Sequence, residues 1–164
     1  MFENYLTKIQ KKTNGKLIVK EYPTASAHVG NFRSLIKELA LKRSFKPDII
    51  FIDYLNICAS SRYRQNTSVN SYSYIKAIAE ELRGLAVESN LPIVSATQTT
   101  RSGYGSSDVD LTDTSESFGL PATADLMFAL ISTEELEGLN QIMVKQLKNR
   151  YNCLLYTSPS PRDL

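Results

Sequence analysis

The 164-residue sequence has few of the residues that build metal and thiol chemistry. Histidine occurs once, as His28, and cysteine twice, as Cys58 and Cys153, in no metal-ligand or CxxC spacing. This scarcity argues against a zinc site and against a histidine-based catalytic triad. Cys58 follows an apolar run, so we expect it to be a small buried hydrophobic residue.

Long apolar runs and an excess of one charge are also missing. No stretch approaches the roughly 20 apolar residues that a membrane span requires, and we recognise no signal peptide at the start. The net charge of +2 permits a nucleic-acid partner but does not argue for one. We therefore expect a globular cytoplasmic domain with no membrane partner.

A phosphate-binding loop of the pattern GxxxxGK[ST] is absent as well. The Gly15-Lys16 pair is followed by Leu17, and Gln10 stands where the first glycine of the pattern belongs. The backbone N–H groups of such a loop hold the phosphates of a nucleotide. We therefore expect these 164 residues alone to bind nucleotide poorly and to lack ATPase activity.

Apolar periodicity predicts helices that alternate with strands. Helices are predicted over 2–12, 31–43 and 71–89, with Asn31 as the N-cap of the second. Strands are predicted over 17–19, 49–52, 92–96, 126–131 and 141–147, with a turn over 134–138. The run at 49–52 is apolar without alternation, which is typical of a strand covered on both faces, and 92–96 is predicted to be buried too. This order predicts an α/β fold with a largely parallel sheet, flanking helices and a C-terminal antiparallel hairpin.

The end of the chain differs in composition from the rest. Pro159 and Pro161 lie in a short polar stretch and interrupt any helix or strand there. We therefore divide the chain into one domain over 1–152 and a disordered tail, of foreign origin, over 153–164.

Two polar residues follow neighbouring strands of the predicted sheet. Asp53 comes directly after the strand at 49–52, and Gln98 closes the stretch that begins at Pro92. The carboxyl ends of parallel strands share one edge, where ligands bind. A carboxylate there can hold Mg²⁺ through water, and an amide can contact a γ-phosphate. Alternatively, Asp53 begins a turn and Gln98 is a solvated strand end.

Cations occur at the end of the last strand and in the first polar loop. Lys148 and Arg150 could reach the γ-phosphate held by a neighbouring subunit, or they could protect an edge strand from aggregation. Arg62 and Arg64 flank Tyr63, a mixture that suits a nucleic-acid backbone and a stacked base. A short basic run of this kind can equally be a solvated loop.

Four motifs, in this order along the chain, resemble those of the DnaB-type (superfamily 4) replicative DNA helicases. The matching stretches are Asp48–Leu55, similar to a Walker B strand; Leu91–Gln98, similar to a strand that ends in a γ-phosphate-sensing glutamine; Asp113–Asp125, similar to a DNA-contacting motif; and Lys148-x-Arg150, similar to a hairpin whose arginine acts in trans. The stretches 17–24, 77–83, 85–88 and 120–125 resemble the helicases of T-even-type bacteriophages more closely still.

The resemblance implies a RecA-like P-loop NTPase fold over 1–152, with the N-terminal part that carries the phosphate loop missing from this fragment. It further implies an ATP-dependent DNA helicase that uses ATP or another NTP with Mg²⁺. The intact protein would move along single-stranded DNA as a homo-hexamer, in the cytoplasm of a phage-infected bacterium. A primase and a helicase loader are further partners that the family suggests.

The same resemblance assigns roles to individual residues. Asp53 would hold Mg²⁺ through water, Gln98 would sense the γ-phosphate, and Lys148 with Arg150 would complete the adjacent subunit's site. The residues expected to contact DNA are Arg62, Arg64, Glu116 and Gly119. The DNA-contacting motif departs from the bacterial pattern, because Ser115 replaces an arginine and Phe118 a glycine, with Gly119 one place further on.

Other interpretations remain open at this point. A RecA-type recombinase or a clock-type ATPase shares the positions of Asp53 and Gln98. The chain could also be a non-catalytic module that binds DNA or poisons a helicase ring, or a piece that does not fold stably by itself.

Overall fold

The computed structural model describes residues 8, 12, 14–63, 69–98 and 119–151. Its elements, in chain order, are α1 (Val29–Arg43), β1 (Ile50–Ile52), a 3₁₀ turn (Leu55–Ile57), α2 (Ser71–Ser89), β2 (Ile93–Ser95), α3 (Gly119–Thr123), β3 (Leu126–Ile131), α4 (Glu134–Gly138) and β4 (Met143–Asn149). Among these residues, no helix combines the length and the hydropathy that crossing a membrane requires.

The described strands form two separate pairs. β1 and β2 are parallel, with Ile50 beside Ile93 and Ile52 beside Ser95. β3 and β4 are antiparallel, and their register shifts between Met127 and Phe128. The predicted combination of parallel strands and a C-terminal antiparallel hairpin is therefore confirmed.

The main hydrophobic core lies between the parallel pair and the helices. Helix α2 supplies most of it, since its apolar residues recur on one face, and Leu85 is fully buried. Ile52, Phe32 and Tyr74 pack against a cluster of buried side chains: Leu55, Cys58, Ile75, Ile78, Ala79, Leu82 and Leu120. The prediction that Cys58 is buried is confirmed, and burial raises the pKa of its thiol.

Several elements match their predicted bounds, and others do not. α2 and β3 lie where they were predicted. The predicted strand at 17–19 is wrong, because the segment has no partner strand among the described residues and Leu17 and Val19 are exposed. The predicted turn at 134–138 is a short helix, whose N-cap Thr133 accepts a hydrogen bond from the backbone N–H of Leu136. Of the predicted helix over 2–12, only Lys8 and Lys12 are described.

Helix α1 begins two residues before its predicted start. Its N-cap is His28, whose Nδ1 accepts a hydrogen bond from the N–H of Gly30 at 3.0 Å. Asn31, predicted as the cap, accepts from the N–H of His28 at 3.0 Å instead. The two side chains therefore cap the helix reciprocally, as in a capping box.

The prediction that both faces of the parallel strands are covered is wrong for the described residues. Successive side chains of a strand point to opposite faces. Ile52 packs against the core, whereas Phe51 is 68% exposed and Val94 is also exposed. Helices therefore cover only one face of this pair within the described ranges.

Candidate functional site

Asp53 and Gln98 lie at one edge of the parallel strand pair. Asp53 directly follows β1, and Gln98 comes three residues after β2. Because Ile52 is paired with Ser95 in a parallel register, both residues follow the carboxyl ends of adjacent strands. Both side chains are exposed, so this edge, which we call the Asp53–Gln98 edge, is open to a ligand.

Hydrogen bonds fix the backbone of this edge beyond the ends of the strands. The N–H of Leu55 donates to the carbonyl oxygen of Ala96 at 3.1 Å. The hydroxyl of Ser95 donates to the carbonyl oxygen of Ile52 at 2.8 Å, and the hydroxyl of Thr97 donates to Oδ1 of Asn56 at 2.8 Å. These hydrogen bonds connect the two segments that carry Asp53 and Gln98.

The two polar side chains of the edge differ in their hydrogen bonding within the described ranges. Nε2 of Gln98 donates a long hydrogen bond, 3.4 Å, to the hydroxyl of Tyr54. Within the described ranges, the carboxylate of Asp53 has no hydrogen bond or ion pair in the protein.

The donor set fits Mg²⁺ bound together with a nucleotide. The described residues contain no cluster of three or more His, Cys, Asp or Glu residues that would hold a metal by themselves. Mg²⁺ is commonly held by one or two carboxylates with waters and substrate phosphates, rather than by a full protein cage. Asp53 is exposed and has no partner among the described residues, which suits that arrangement.

Lys148 and Arg150 lie at the far end of the antiparallel hairpin, each with a defined partner. The Nζ of Lys148 donates to the carbonyl oxygen of Pro121. Nη1 of Arg150 donates to Oδ1 of Asp125 at 2.8 Å. Nη1 of Arg83 donates to the same oxygen, also at 2.8 Å. The hairpin end is thus tied to helix α2 through one carboxylate.

The charge pattern around Asp125 stabilises its ionised form. The hydrogen bond from Arg83 and the positive charges of Arg83 and Arg150 lower the pKa of the Asp125 carboxyl group, against a smaller opposing effect of burial. The same hydrogen bond raises the pKa of Arg83. Asp125 and Arg83 therefore both stay charged across the physiological pH range.

Arg62 lies on a segment that two adjacent carboxylates of α2 hold in place. Its Nη1 contacts Oε2 of Glu80 at 2.5 Å on the surface. The neighbouring Glu81 is buried and accepts from the hydroxyl of Ser60 at 2.5 Å, the hydroxyl of Ser61 at 2.7 Å and the N–H of Ser61 at 3.0 Å. Burial raises the pKa of Glu81, but these hydrogen bonds outweigh it and the net pKa is lowered.

The remaining predicted DNA contacts are only partly described. Arg64 and Glu116 lie outside the described residues. Gly119 begins α3 and is buried; a Cβ atom there would lie 3.1 Å from Cβ of Lys76 and 3.3 Å from Cε2 of Tyr72. Close packing against α2 therefore favours glycine at this position, and its contact with DNA stays a prediction.

Sequence reasoning did not find the buried Glu81 or the contacts of Asp125 with Arg83 and Arg150. Glu81 could have been found, since it falls on the apolar face of α2, where a buried charge needs partners. The contacts of Asp125 join residues 42 and 25 positions apart. No local pattern predicts such contacts.

Known proteins share both the sequence and the fold of this chain. The family described as "DnaB-like helicase C terminal domain" matches residues 2–151. The chain is 54% identical over 142 residues to the DnaB-like replicative helicase of Enterobacteria phage T4, covering 87% of this chain and 30% of that protein. It is 32% identical over 118 residues to a probable plasmid replicative DNA helicase of Chlamydia psittaci, covering 68% of this chain and 24% of that protein. The chain thus spans less than a third of either relative.

Two solved structures have a similar fold. One is an ATPase domain, which superimposes with a TM-score of 0.71 at 20% identity, over 93% of this chain and 54% of that one. The other is a DnaB-like replicative helicase, described with its interactions with primase, which superimposes with a TM-score of 0.69 at 21% identity, over 92% of this chain and 36% of that one. The predicted RecA-like fold is confirmed, and with residues 2–151 matched, the chain belongs to the family of DnaB-like helicase C-terminal domains.

Proposed function

We propose that this chain forms part of the motor of a replicative DNA helicase, which couples NTP hydrolysis to movement along single-stranded DNA and to duplex unwinding. The observation that carries the proposal is the Asp53–Gln98 edge: a carboxylate with no partner among the described residues and an amide follow adjacent parallel strands. Membership of the helicase family supports the same conclusion.

In this proposal, the Asp53–Gln98 edge binds ATP, or another NTP, together with Mg²⁺. Asp53 would hold Mg²⁺ through water, and the ion would supply positive charge that offsets the charge of the phosphates. Gln98 contacts the γ-phosphate or the attacking water with its amide. Tyr54 supports this role, since its hydroxyl already accepts a hydrogen bond from Nε2 of Gln98.

The nucleotide site is completed by a neighbouring subunit. Arg150, with Lys148 beside it, stabilises the charge that develops on the phosphates bound by the adjacent copy, and groups of this kind are worth about 10³-fold or more in rate. The side chain of Arg150 is 43% exposed at the end of the hairpin, which supports a role between subunits. The assembly we propose is a homo-hexameric ring.

DNA passes along the segment that carries Arg62 and Arg64, and Glu116 and Gly119 contribute from the motif over 113–125 that resembles a DNA-contacting motif. Arg62 reaches the surface from a segment that Glu81 anchors, so its cation is presented on a fixed support. We propose that a primase acts with the ring, by analogy with the helicase that was described with primase, and that a helicase loader is a further partner. The T4 relative supports action in the cytoplasm of a phage-infected bacterium.

The test uses a chimaera in which residues 2–151 replace the matching segment of the phage T4 helicase. Two variants each remove one part of the proposed site. Asp53→Ala removes the ion-binding carboxylate, and Arg150→Ala removes the cation that acts on the neighbouring subunit. Each variant alone should hydrolyse ATP poorly and fail to unwind a forked DNA. Mixed rings should recover activity, because a site formed by an intact Asp53 and a neighbour's intact Arg150 occurs only when both variants are present.

Three measurements give the outcome: assembly by size-exclusion chromatography, steady-state ATP hydrolysis, and unwinding of the fork. Assembled chimaera rings without hydrolysis contradict the proposed function. Recovery no greater than the average of the two separate variants contradicts the division of the site between subunits.

A further inference from the structure

A single carboxylate oxygen joins three elements at the end of the hairpin. Oδ1 of Asp125 accepts from Nη1 of Arg83 on α2 and from Nη1 of Arg150 after β4, each at 2.8 Å. Arg83 also donates to the carbonyl oxygen of Thr123 at 2.7 Å. Arg83 therefore fixes the segment just before β3, and Asp125 in turn holds the side chain of Arg150.

The backbone of Arg150 is fixed independently of its side chain. The N–H of Arg150 donates to the carbonyl oxygen of Asp125 at 2.9 Å, and Leu126 is paired with Asn149 in the ladder. The arginine side chain nevertheless has several rotatable bonds, so a fixed Cα alone leaves its guanidinium free to adopt many positions. The carboxylate of Asp125 is the group that selects one of them.

We propose that Asp125, held by Arg83, is the positioning residue that orients Arg150 toward the nucleotide of the adjacent subunit. The proposal rests on the trans-acting role of Arg150 given above. A guanidinium carries five N–H donors, and Asp125 engages Nη1 alone. The other donors stay available to a phosphate, so Asp125 orients the cation without occupying it.

Lys148 is held in a different way and does not share this dependence. Its Nζ contacts the carbonyl oxygen of Pro121 rather than a carboxylate. Loss of the Asp125 charge should therefore affect Arg150 while leaving the contact of Lys148 in place.

The ion pairs of Asp125 are expected to contribute little to the stability of the fold. The side chains of Arg83, Asp125 and Arg150 are 37%, 39% and 43% exposed, and exposed ion pairs contribute little to folding. Displacing a catalytic group by about 1 Å, by contrast, can cost up to about 100-fold in rate. We therefore expect Asp125→Asn to change the rate much more than the fold.

The mixed rings of the chimaera separate positioning from folding. One kind of subunit carries Asp53→Ala and supplies only Arg150; the other carries Arg150→Ala and supplies only the Asp53–Gln98 edge. Asp125→Asn is introduced into one kind of subunit at a time. In the subunit that supplies Arg150, it should lower the recovered kcat about tenfold, with KM for ATP changed less than about twofold. In the other subunit it has no Arg150 to orient, so recovery should not change.

The matched control is Glu88→Gln, which removes the charge from another exposed ion pair of α2, that with Arg33. In either kind of subunit, Glu88→Gln should leave the ATP hydrolysis recovered by the mixed rings unchanged. Equal losses from Asp125→Asn in both kinds of subunit would show a merely structural role and overturn the inference, as would the absence of any loss. If the parent mixture itself shows no recovery, the proposed division of the site between subunits fails and the inference fails with it; recovery that is insensitive to Asp125→Asn refutes the inference alone.

Discussion

The buried carboxylate of Glu81 should anchor the segment that carries Arg62, and its removal should destabilise the chain more than removal of its neighbour. Glu81 accepts hydrogen bonds from three donors: the hydroxyls of Ser60 and Ser61 and the N–H of Ser61. Ser60 is itself buried, at 5% exposure, so its hydroxyl has no ready access to water once the carboxylate is gone. Ser61 is exposed and can be solvated.

The size of the effect follows from this difference between the two serines. A hydrogen bond to a charged group is worth about 1.5–3 kcal/mol, and a buried donor left unsatisfied costs about 1–3 kcal/mol. With water replacing the bonds to Ser61, Glu81→Ala should lower the free energy of unfolding by about 2–3 kcal/mol. Glu81→Gln keeps the shape and some neutral hydrogen bonds, so about 1–2 kcal/mol should be lost.

Urea unfolding of the 164-residue chain, followed by circular dichroism, measures both changes. The matched control is Glu80→Ala on the same turn of α2, because among the described residues Glu80 contacts Arg62 alone, in a surface ion pair. Such pairs contribute about 0–1 kcal/mol. If Glu81→Ala and Glu80→Ala destabilise the chain equally, the anchoring role of Glu81 is refuted.

Three further predictions concern pH, DNA and nucleotide. The folded-state pKa values of Glu81 and Asp125 are lowered, so their stabilisation is present above the unfolded values of about 4.3 and 3.9 and is lost as the pH falls through the folded values. The urea concentration at the midpoint of unfolding should therefore decrease as the pH is lowered below about 4.5. This decrease should be smaller in Glu81→Gln, and an identical pH profile in the variant would contradict the contribution of Glu81. Arg62→Ala in the chimaera should weaken binding of single-stranded oligonucleotides of any sequence and reduce the slope of log K against log salt by about 0.7, and an unchanged slope would exclude a phosphate contact. The 164-residue chain alone should not hydrolyse ATP, since it carries no GxxxxGK[ST] loop; turnover that Asp53→Ala abolishes would disprove this.

The sequence predicts the Asp53–Gln98 edge because the prediction depends only on short sequence patterns at the ends of strands and on the order of the strands. An apolar run that ends in a polar residue marks the end of a strand, and the parallel order of strands then places two such ends together. The pairing of Ile52 with Ser95 meets that expectation. Helix α2 is predicted for the same reason, since its apolar period is strong over 19 residues.

Features that depend on distant partners escape sequence reasoning. The carboxylate of Asp125 forms ion pairs with Arg83 and Arg150, which lie on two other elements. No spacing along the chain predicts either contact. The exposure of Phe51 could not be predicted either, because an apolar strand does not reveal which of its faces is covered. His28 was missed as a cap because the preferred cap residue Asn31 lies three positions later and performs the reciprocal half of the motif.

The rate of ATP hydrolysis by chimaera rings carrying Asp53→Ala, measured beside rings carrying Asp48→Ala, tests the nucleotide role of the Asp53–Gln98 edge most directly. Both aspartates are exposed and flank β1, Asp48 before the strand and Asp53 after it, so the two variants remove the same group from opposite ends. Asp53→Ala should slow hydrolysis at least about 100-fold, as expected when an ion-binding carboxylate is lost, and Asp48→Ala should stay within about twofold. Equal rates for the two variants would contradict the assignment of nucleotide binding to this edge.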